Sequence, residues 1–350
     1  MTHHEVEVDV TGGVDTHRVT HTAAVLDPLG RVLGTAQFAA DAAGYTALLA
    51  WMRGFGRVTR IGVEGSGAYG AGLAASLAEQ AIPVVEVDRP GRKTRRFQGK
   101  SDPIDAIEAA RATLAGHRTG TPKQRAGRVE AVRVLRIARR SAITARADAT
   151  LRIKALIVTA PEPLRARLRG LTDTTLITTC AGLRPGRADI GSPTGATKTA
   201  LRSLARRHQQ LTVEINDLDE LLTPLVAAIN PGLVAAHGIG TDTAGQLLIT
   251  MGENPHRIRS EAAFARLCGV APIPASSGRT HRHRLNRGGD RQANAALHRI
   301  AITRLRWDPA TRAYAQRRTT QGLTKKEIIR CLKRYIAREI YHLITNPPTT

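Results

Sequence analysis

Aromatic side chains are scarce: Trp, Tyr and Phe together make up 3% of the 350 residues. A core must therefore be built from Ala, Val, Leu and Ile, and a hydrophobic share of 42% is enough for a globular chain. Tyr45, Tyr69 and Phe97 are too scattered to suggest a base-stacking platform, and read as packing residues. Cysteine is nearly as rare. Cys180, Cys268 and Cys331 lie far apart without a Cys-x-x-Cys pair, which excludes a disulfide framework and a zinc module. There is no apolar run of about 18 residues and no basic-then-apolar amino terminus, so neither a membrane span nor a signal segment is expected. The expected location is the cytoplasm, in association with the nucleoid. No internal repeat with a period of roughly 20–50 residues is present.

Acidic residues are also under-represented. Lys and Arg number 52 against 29 Asp and Glu, a net charge of +23. A field of that sign attracts polyanions, which makes nucleic acid the leading partner. An anionic membrane surface would satisfy the same charge, but no apolar segment accompanies it. The length exceeds the usual size of one domain and suggests two, or two joined by an extended helical linker.

Strand and helix signals alternate at the start of the chain. "EVEVDVTGGVDTH", "RVTHTAAVLD" and "RVLGTAQFA" read as an antiparallel meander of three strands. From Asp41, "DAAGYTALLAWMRGF" has helical spacing, "RIGVEG" is a buried strand, "AYGAGLAASLAEQA" a helix and "IPVVEVD" a further strand. This alternation predicts an α/β layer with parallel elements. Beyond Asp105 the text turns to Ala, Arg, Leu and Ile, predicting long helices with basic exposed faces. "CAGLRPGRADIGSPTGATKT" is the natural linker or boundary, and "ALRSLARRHQQLTVEINDLDELLTPLVAAI" has the heptad-like spacing of a coiled-coil arm or a partner-packed helix. The last part runs from "NPGLVAAHGIGTDTAGQLLITMG" through the loop "APIPASSGRTHRHRLNRGGD" to two closing helices, "RQANAALHRIAITRL" and "TKKEIIRCLKRYIAREIYHLI". The expected division is 1–125, 126–228 and 229–350.

Four acids carry the chemistry. In "GKSDPIDA", Asp102 as N-cap, Pro103 at the first helical position and Asp105 at the third make a good helix start. Asp15 ends the first strand in "GGVDTH", and Glu64 ends a later one in "RIGVEG". Strand ends of an α/β sheet are where ligands bind. Carboxylates drawn together there repel one another unless a divalent cation neutralises them, and hard oxygen ligands suit Mg²⁺, with Mn²⁺ as the alternative. Arg92, Lys93, Arg95, Arg96 and Lys100 precede the Asp-x-x-Asp pair and are candidates for contact with a nucleic-acid backbone. Helix capping and ion binding are compatible roles for Asp102 and Asp105.

The order strand-Asp, strand-Glu, helix with Asp-x-x-Asp resembles a RuvC-like member of the RNase H fold. "GVDTHRVTHTAAVLDPLGRVLG", "GVEGSGAYG", "VVEVDRP" and "GKSDPIDAIEAARA" resemble the amino-terminal domain of the DEDD insertion-sequence transposases, the group that includes Piv-type DNA invertases. Further on, "GIGTDTAGQLLITMG" resembles a helix-hairpin-helix in which Gly238 and Gly240 let backbone N–H groups approach a phosphate. "FARLCGVAPIPASSGRTHRHRLNRGGDRQANAALHRIA" is similar to the same family's second signature. The resemblance implies a RuvC-like metal-binding domain, a helical coiled-coil-like linker and a mainly α carboxy-terminal transposase domain. It also implies that Asp15, Glu64, Asp102 and Asp105 bind the metal. Ser277 would be the nucleophile that links covalently to DNA, with Ser276 as the register alternative. Arg279, Arg282, Arg284 and Arg287 follow and suit phosphate binding. His281 and His283 have no nearby Cys or acid partner and fit the same phosphate-facing loop better than a metal.

Family membership further implies donor and target DNA chosen by pairing to a structured bridge RNA, and a dimer or tetramer whose active sites combine the acids of one subunit with the serine of another. Three other readings compete. These are a RuvC-like junction nuclease that uses water, a sugar-kinase or actin-like ATPase suggested by "GVDTH", and a non-catalytic nucleic-acid scaffold.

Overall fold

The computed structural model describes residues 8–88, 101–117, 119–279 and 283–346. Strands β1 (Asp9–Thr16), β2 (Thr20–Leu26) and β3 (Val32–Ala39) form the meander, with β1 antiparallel to β2 and β2 antiparallel to β3. Helix α1 (Ala42–Arg53) leads to β4 (Arg57–Glu64), and α2 (Ala71–Glu79) to β5 (Val84–Val87). Helix α3 (Asp102–Ala115) and the short β6 (Thr119–Gly120) complete the sheet, whose order is β3-β2-β1-β4-β5-β6. Strands β1, β4 and β5 run parallel. This mixed α/β sheet, followed by a mainly helical remainder, agrees with the RuvC-like fold that the sequence implies.

Burial follows position in the sheet. The central β1 is buried from Val10 onward, whereas β3, at the edge, alternates between partly buried and exposed residues. Period two divides β1 between its faces. Val10 and Val14 join Leu48, Leu49 and Met52 of α1 and Leu73 and Leu77 of α2 in one aliphatic core. The opposite face of β1 carries Gly13 and Asp15, and it is covered by α3.

The chain divides into two compact units. The first takes its described residues from 1–126 and 251–263, the second from 127–250 and 264–350. The returning segment of the first unit is tied by Asn254. Its Oδ1 accepts from the backbone N–H of Gln124 at 3.0 Å, and its Nδ2 donates to the carbonyl of Pro122 at 3.0 Å.

In the second unit, α4 (Gly127–Val158) pairs with the long α7 (Pro193–Ile229), and α5 (Glu162–Leu168) and α6 (Asp173–Ala181) close a core around Ile153, Ile157, Leu201 and Ala205. Of the Gly-, Pro- and Thr-rich stretch only residues 182–192 form a loop, with one 3-10 turn, Ala188–Gly191; its last part, from Pro193, already belongs to α7, and the whole lies inside this unit. Then come α8 (Pro231–Ala235), α9 (Thr241–Met251), α10 (Glu261–Leu267) and a two-residue ladder of β7 (Ile273–Pro274) with β8 (His283–Arg284). Three closing helices follow rather than the two expected: α11 (Arg291–Trp307), α12 (Pro309–Thr320) and α13 (Lys325–Thr345). The additional helix, α12, starts at Pro309 behind an Asp308 cap that accepts from the Thr311 N–H at 3.0 Å. It buries only Thr311, so it has no apolar period to betray it. Among the described residues no helix is long and apolar enough to cross a membrane.

Candidate metal centre and serine loop

Small residues allow α3 to lie directly on the sheet. A Cβ at Gly13 would stand 2.4 Å from the Ala106 carbonyl oxygen and 2.2 Å from the Ala110 nitrogen; one at Gly62 would stand 1.9 Å from Thr113 Oγ1. Val14 pairs with Val63, so Gly13 and Asp15 of β1 share a face with Gly62 and Glu64 of β4. The two strand acids thus end neighbouring parallel strands beside the first turn of α3. The Thr16 hydroxyl donates to the Glu64 carbonyl at 2.7 Å and joins these strand ends.

The start of α3 differs from the expected cap by one residue. Ser101 occupies the N-cap position and makes no side-chain cap bond; Asp102 is the first helical residue. Its carboxylate is directed elsewhere. Asp102 Oδ2 lies 3.5 Å from His17 Nδ1, and His17 Nε2 lies 3.9 Å from Asp15 Oδ2. Donor atoms of Asp15, His17 and Asp102 all fall within 4.8 Å of one another. Asp105 and Glu64, both buried, stand outside that tight group. Burial holds the Asp15 carboxyl above its usual range, the charges of Asp105 and Asp102 add to the rise, and His17 and a bond from the Thr16 backbone oppose it. A buried carboxyl held toward its neutral form beside other acids fits a cation, which would reverse the penalty. The imidazole nitrogen beside the carboxylates widens the choice from Mg²⁺ toward Mn²⁺.

His17 is the residue that sequence reasoning missed. It stands two positions after Asp15 and one beyond the end of β1, inside the quoted Gly-Gly-Val-Asp-Thr-His.

Ser277 lies in the second unit, in the exposed loop between β7 and β8, and is followed by Gly278 at φ +54°. Arg279 of the same loop, Arg284 of β8 and Arg287 just beyond it are exposed. Arg282, with Arg92, Lys93, Arg95, Arg96 and Lys100, lies outside the described residues. The glycine turn joins α8 to α9. Gly238 adopts φ +76°, a conformation that disfavours other residues, and the His237 carbonyl accepts from Arg304 Nε at 2.8 Å. Nothing stands within 4 Å of a Cβ at Gly240.

A family model described as a DEDD-type IS110 transposase matches residues 12–160, which include all four acids. A second, described as the transposase IS116/IS110/IS902 family, matches residues 233–316, which include the glycine turn and the serine loop. The chain belongs to the IS110/IS116/IS902 transposase family. The insertion element IS110 uncharacterized 43.6 kDa protein of Streptomyces coelicolor is 29% identical over 151 residues, 43% of this chain and 36% of that protein. The insertion element IS900 uncharacterized 42 kDa protein of Mycobacterium paratuberculosis is 26% identical over 160 residues, 43% of this chain and 40% of that protein. The matches thus span well under half the length of either relative.

In this IS110-family chain one acid anchors the scaffold of the glycine turn. Asp242, at the start of α9, accepts from Arg136 at 2.7 Å and faces Arg139 at 3.4 Å and Arg299 at 3.0 Å. Burial alone would raise its carboxyl, but the Arg136 bond and the charges of Arg136, Arg299 and Arg139 outweigh that and hold it below the usual range. A depressed carboxyl contributes stability above its unfolded value, and that contribution is lost as acid protonates the folded form. Asp242→Ala is therefore expected to destabilise the second unit by about 2–3 kcal/mol at neutral pH, between the surface and buried limits for ion pairs. A thermal melt checks it. The gap from wild type should narrow as the pH falls below the carboxylate range.

Proposed function

We propose that the chain is an insertion-sequence transposase that acts as a site-specific DNA recombinase. A divalent metal is held by Asp15, Glu64, Asp102 and Asp105, and Ser277 is the nucleophile. The observation that carries the reading is the meeting of Asp15, His17 and Asp102 within 4.8 Å at the end of an RNase H-like sheet. It stands in a chain with a net charge of +23, suited to a polyanionic substrate. Mg²⁺ or Mn²⁺ at these acids would supply positive charge beside phosphate oxygens as they gain negative charge.

The chain's own residues do the rest. Ser277 Oγ forms a bond to phosphorus as the bond to one strand oxygen breaks, and the serine proton ends on the departing strand hydroxyl. One phosphodiester replaces another, so rejoining by the reverse step needs no ATP. Arg279, Arg284 and Arg287 offset the charge that develops on the phosphate. The glycine turn at Gly238 and Gly240 offers backbone N–H groups to a phosphate outside the cut.

Family resemblance supports two further parts of the reading. A structured bridge RNA selects donor and target by base pairing, which gives the positive chain a second polyanion. A dimer or tetramer, assembled through the helices of residues 126–228, brings the acids of residues 1–125 in one subunit to the serine of residues 229–350 in another. Work on DNA would place the protein in the cytoplasm with the nucleoid.

The test is a denaturation-resistant protein–DNA adduct, formed with Mg²⁺ on DNA that carries element ends. Wild type and Ser276→Ala should form it and Ser277→Ala should not. Normal cleavage by Ser277→Ala would instead support a nuclease that uses water.

A further inference from the structure

The fold gathers aromatics that the sequence scatters. Tyr314 of α12 and Tyr335 of α13 meet edge to face, with centroids 5.8 Å apart and planes at 85°. The Arg317 guanidinium stands 5.5 Å from the centre of the Tyr314 ring. Tyr335 is 57% exposed. It lines a cavity of about 820 Å³ between α13 and the loop segments that flank β7 and β8.

The lining has two characters. Val270, Pro272 and Leu285 give an apolar wall. Arg284, Arg330, Lys333 and Arg334 line it as well, and Glu327 is the one carboxylate among the described lining residues. That carboxylate is already engaged: it accepts from the Thr324 backbone N–H at 2.9 Å and hydroxyl at 2.7 Å, capping α13. The Lys333 ammonium donates to a neutral acceptor, Asn294 Oδ1, at 2.8 Å. Burial, and then the charge of Arg330, hold that ammonium below its ordinary value, a penalty that an entering anion would relieve.

A free inorganic anion has no use for the apolar wall or the exposed ring, and an apolar ligand has none for four cations. A nucleotide uses both. Only an unpaired nucleotide can use them together, because bases within a duplex have both faces covered by their neighbours.

We propose that this cavity is a subsite for a single unpaired nucleotide of a DNA or RNA strand. The base stacks on Tyr335 and the apolar wall, and the phosphate lies toward Arg284, Arg330 and Lys333. Because β8 carries Arg284 and ends the loop that bears Ser277, the subsite would hold a strand locally open beside that serine. In that respect the inference rests on the function proposed above.

Photo-cross-linking of the full chain tests it. The probes are short 5-iodouracil oligonucleotides, one of DNA and one of RNA, each single-stranded and annealed, with cross-linked peptides mapped by mass spectrometry. Single strands should cross-link to the peptide carrying Tyr335 or Tyr314, duplexes much less, and the probe with the higher yield identifies the strand. Tyr335→Ala, at an exposed position, should keep the wild-type melting temperature and lower the yield at the Tyr314 peptide and the cavity loop by roughly 5- to 150-fold, the range for one lost stack. Tyr335→Phe should retain it. Arg330→Gln should make binding at this site less salt-dependent.

Cross-links that map only elsewhere, equal yields for duplex and single strand, or a Phe variant as weak as the Ala variant would each overturn the subsite. Loss of these cross-links with an intact Ser277 adduct would remove the subsite alone. A missing adduct with the cross-links in place would remove the strand-cutting reading instead.

Discussion

Replacing Asp15 by Asn is expected to abolish metal-dependent strand cutting while making the metal-free first unit slightly more heat-stable. The loss should be about a thousandfold or more, since removing a ligand of the ion removes several kcal/mol of charge stabilisation at the phosphate and each 1.36 kcal/mol is tenfold in rate. Stability moves the other way because the folded state holds the Asp15 carboxyl above its usual range, through burial first and then through Asp105 and Asp102. For an acid with a raised folded value, the neutral form is the one the fold prefers. Its ionisation therefore removes stability as the pH rises from the unfolded value through the folded one. Asparagine keeps the shape without that loss. In metal-free buffer at neutral pH the Asn variant should melt above wild type, and the difference should shrink on acidification. With Mn²⁺ added, the wild-type midpoint should rise and that of the variant should not. A variant that melts lower than wild type at neutral pH and still responds to Mn²⁺ would sink the assignment of Asp15 to the ion.

Gly13→Ala should cost more stability than any surface substitution in the chain. One methyl group is small, and ordinary overpacking costs about 1–3 kcal/mol because a side chain can move aside. Here the obstacles are the Ala110 nitrogen at 2.2 Å and the Ala106 carbonyl oxygen at 2.4 Å, both backbone of α3. The helix must translate as a body, so a cost of about 4 kcal/mol or more is expected, at the exceptional end for one substitution. The helix carries Asp102 and Asp105, so molecules that still fold would hold these acids out of place, and a displacement of about 1 Å can cost roughly a hundredfold in rate. Circular dichroism melts and a cleavage assay measure the two effects. Ala110→Gly should not rescue Gly13→Ala, because the clash is with backbone that every residue has. Gly62→Ala should be milder, because its closest obstacle is a side-chain atom, the Thr113 hydroxyl, and the nearest backbone of α3, the Ala109 carbonyl oxygen, stands farther off at 2.9 Å.

Much of this was legible in the text of the chain, and the exceptions have a common cause. The strands of the first unit could be read because β1 to β5 keep apolar residues at the spacing the sheet needs, and the order of the four acids followed from those strands. The place of α3 was visible in Ser-Asp-Pro, yet its register moved by one residue because a cap depends on which side chain is free to turn back, and Asp102 faces His17 instead. His17 stands one residue past β1, where strand period no longer assigns a side. Gly13 and Gly62 are plain letters until the helix that presses on them is known. Tyr314 and Tyr335 meet only because α12 exists, and α12 left no apolar pattern to read. What sequence pattern conveys is the face of an element; what it omits is which other element arrives at that face.

The return of residues 251–263 to the first unit has a consequence in time. On the ribosome, residues 1–126 emerge first, but the Asn254 side chain that satisfies the backbone of Pro122 and Gln124 is made only after the intervening stretch of the second unit, 127–250. At ordinary synthesis rates of about 5–20 residues per second that is a wait of roughly 6–25 s. Through that interval the unit bearing the acids is a nascent chain without its last strap. The unit that bears the four acids is thus finished only after much of the second has been translated.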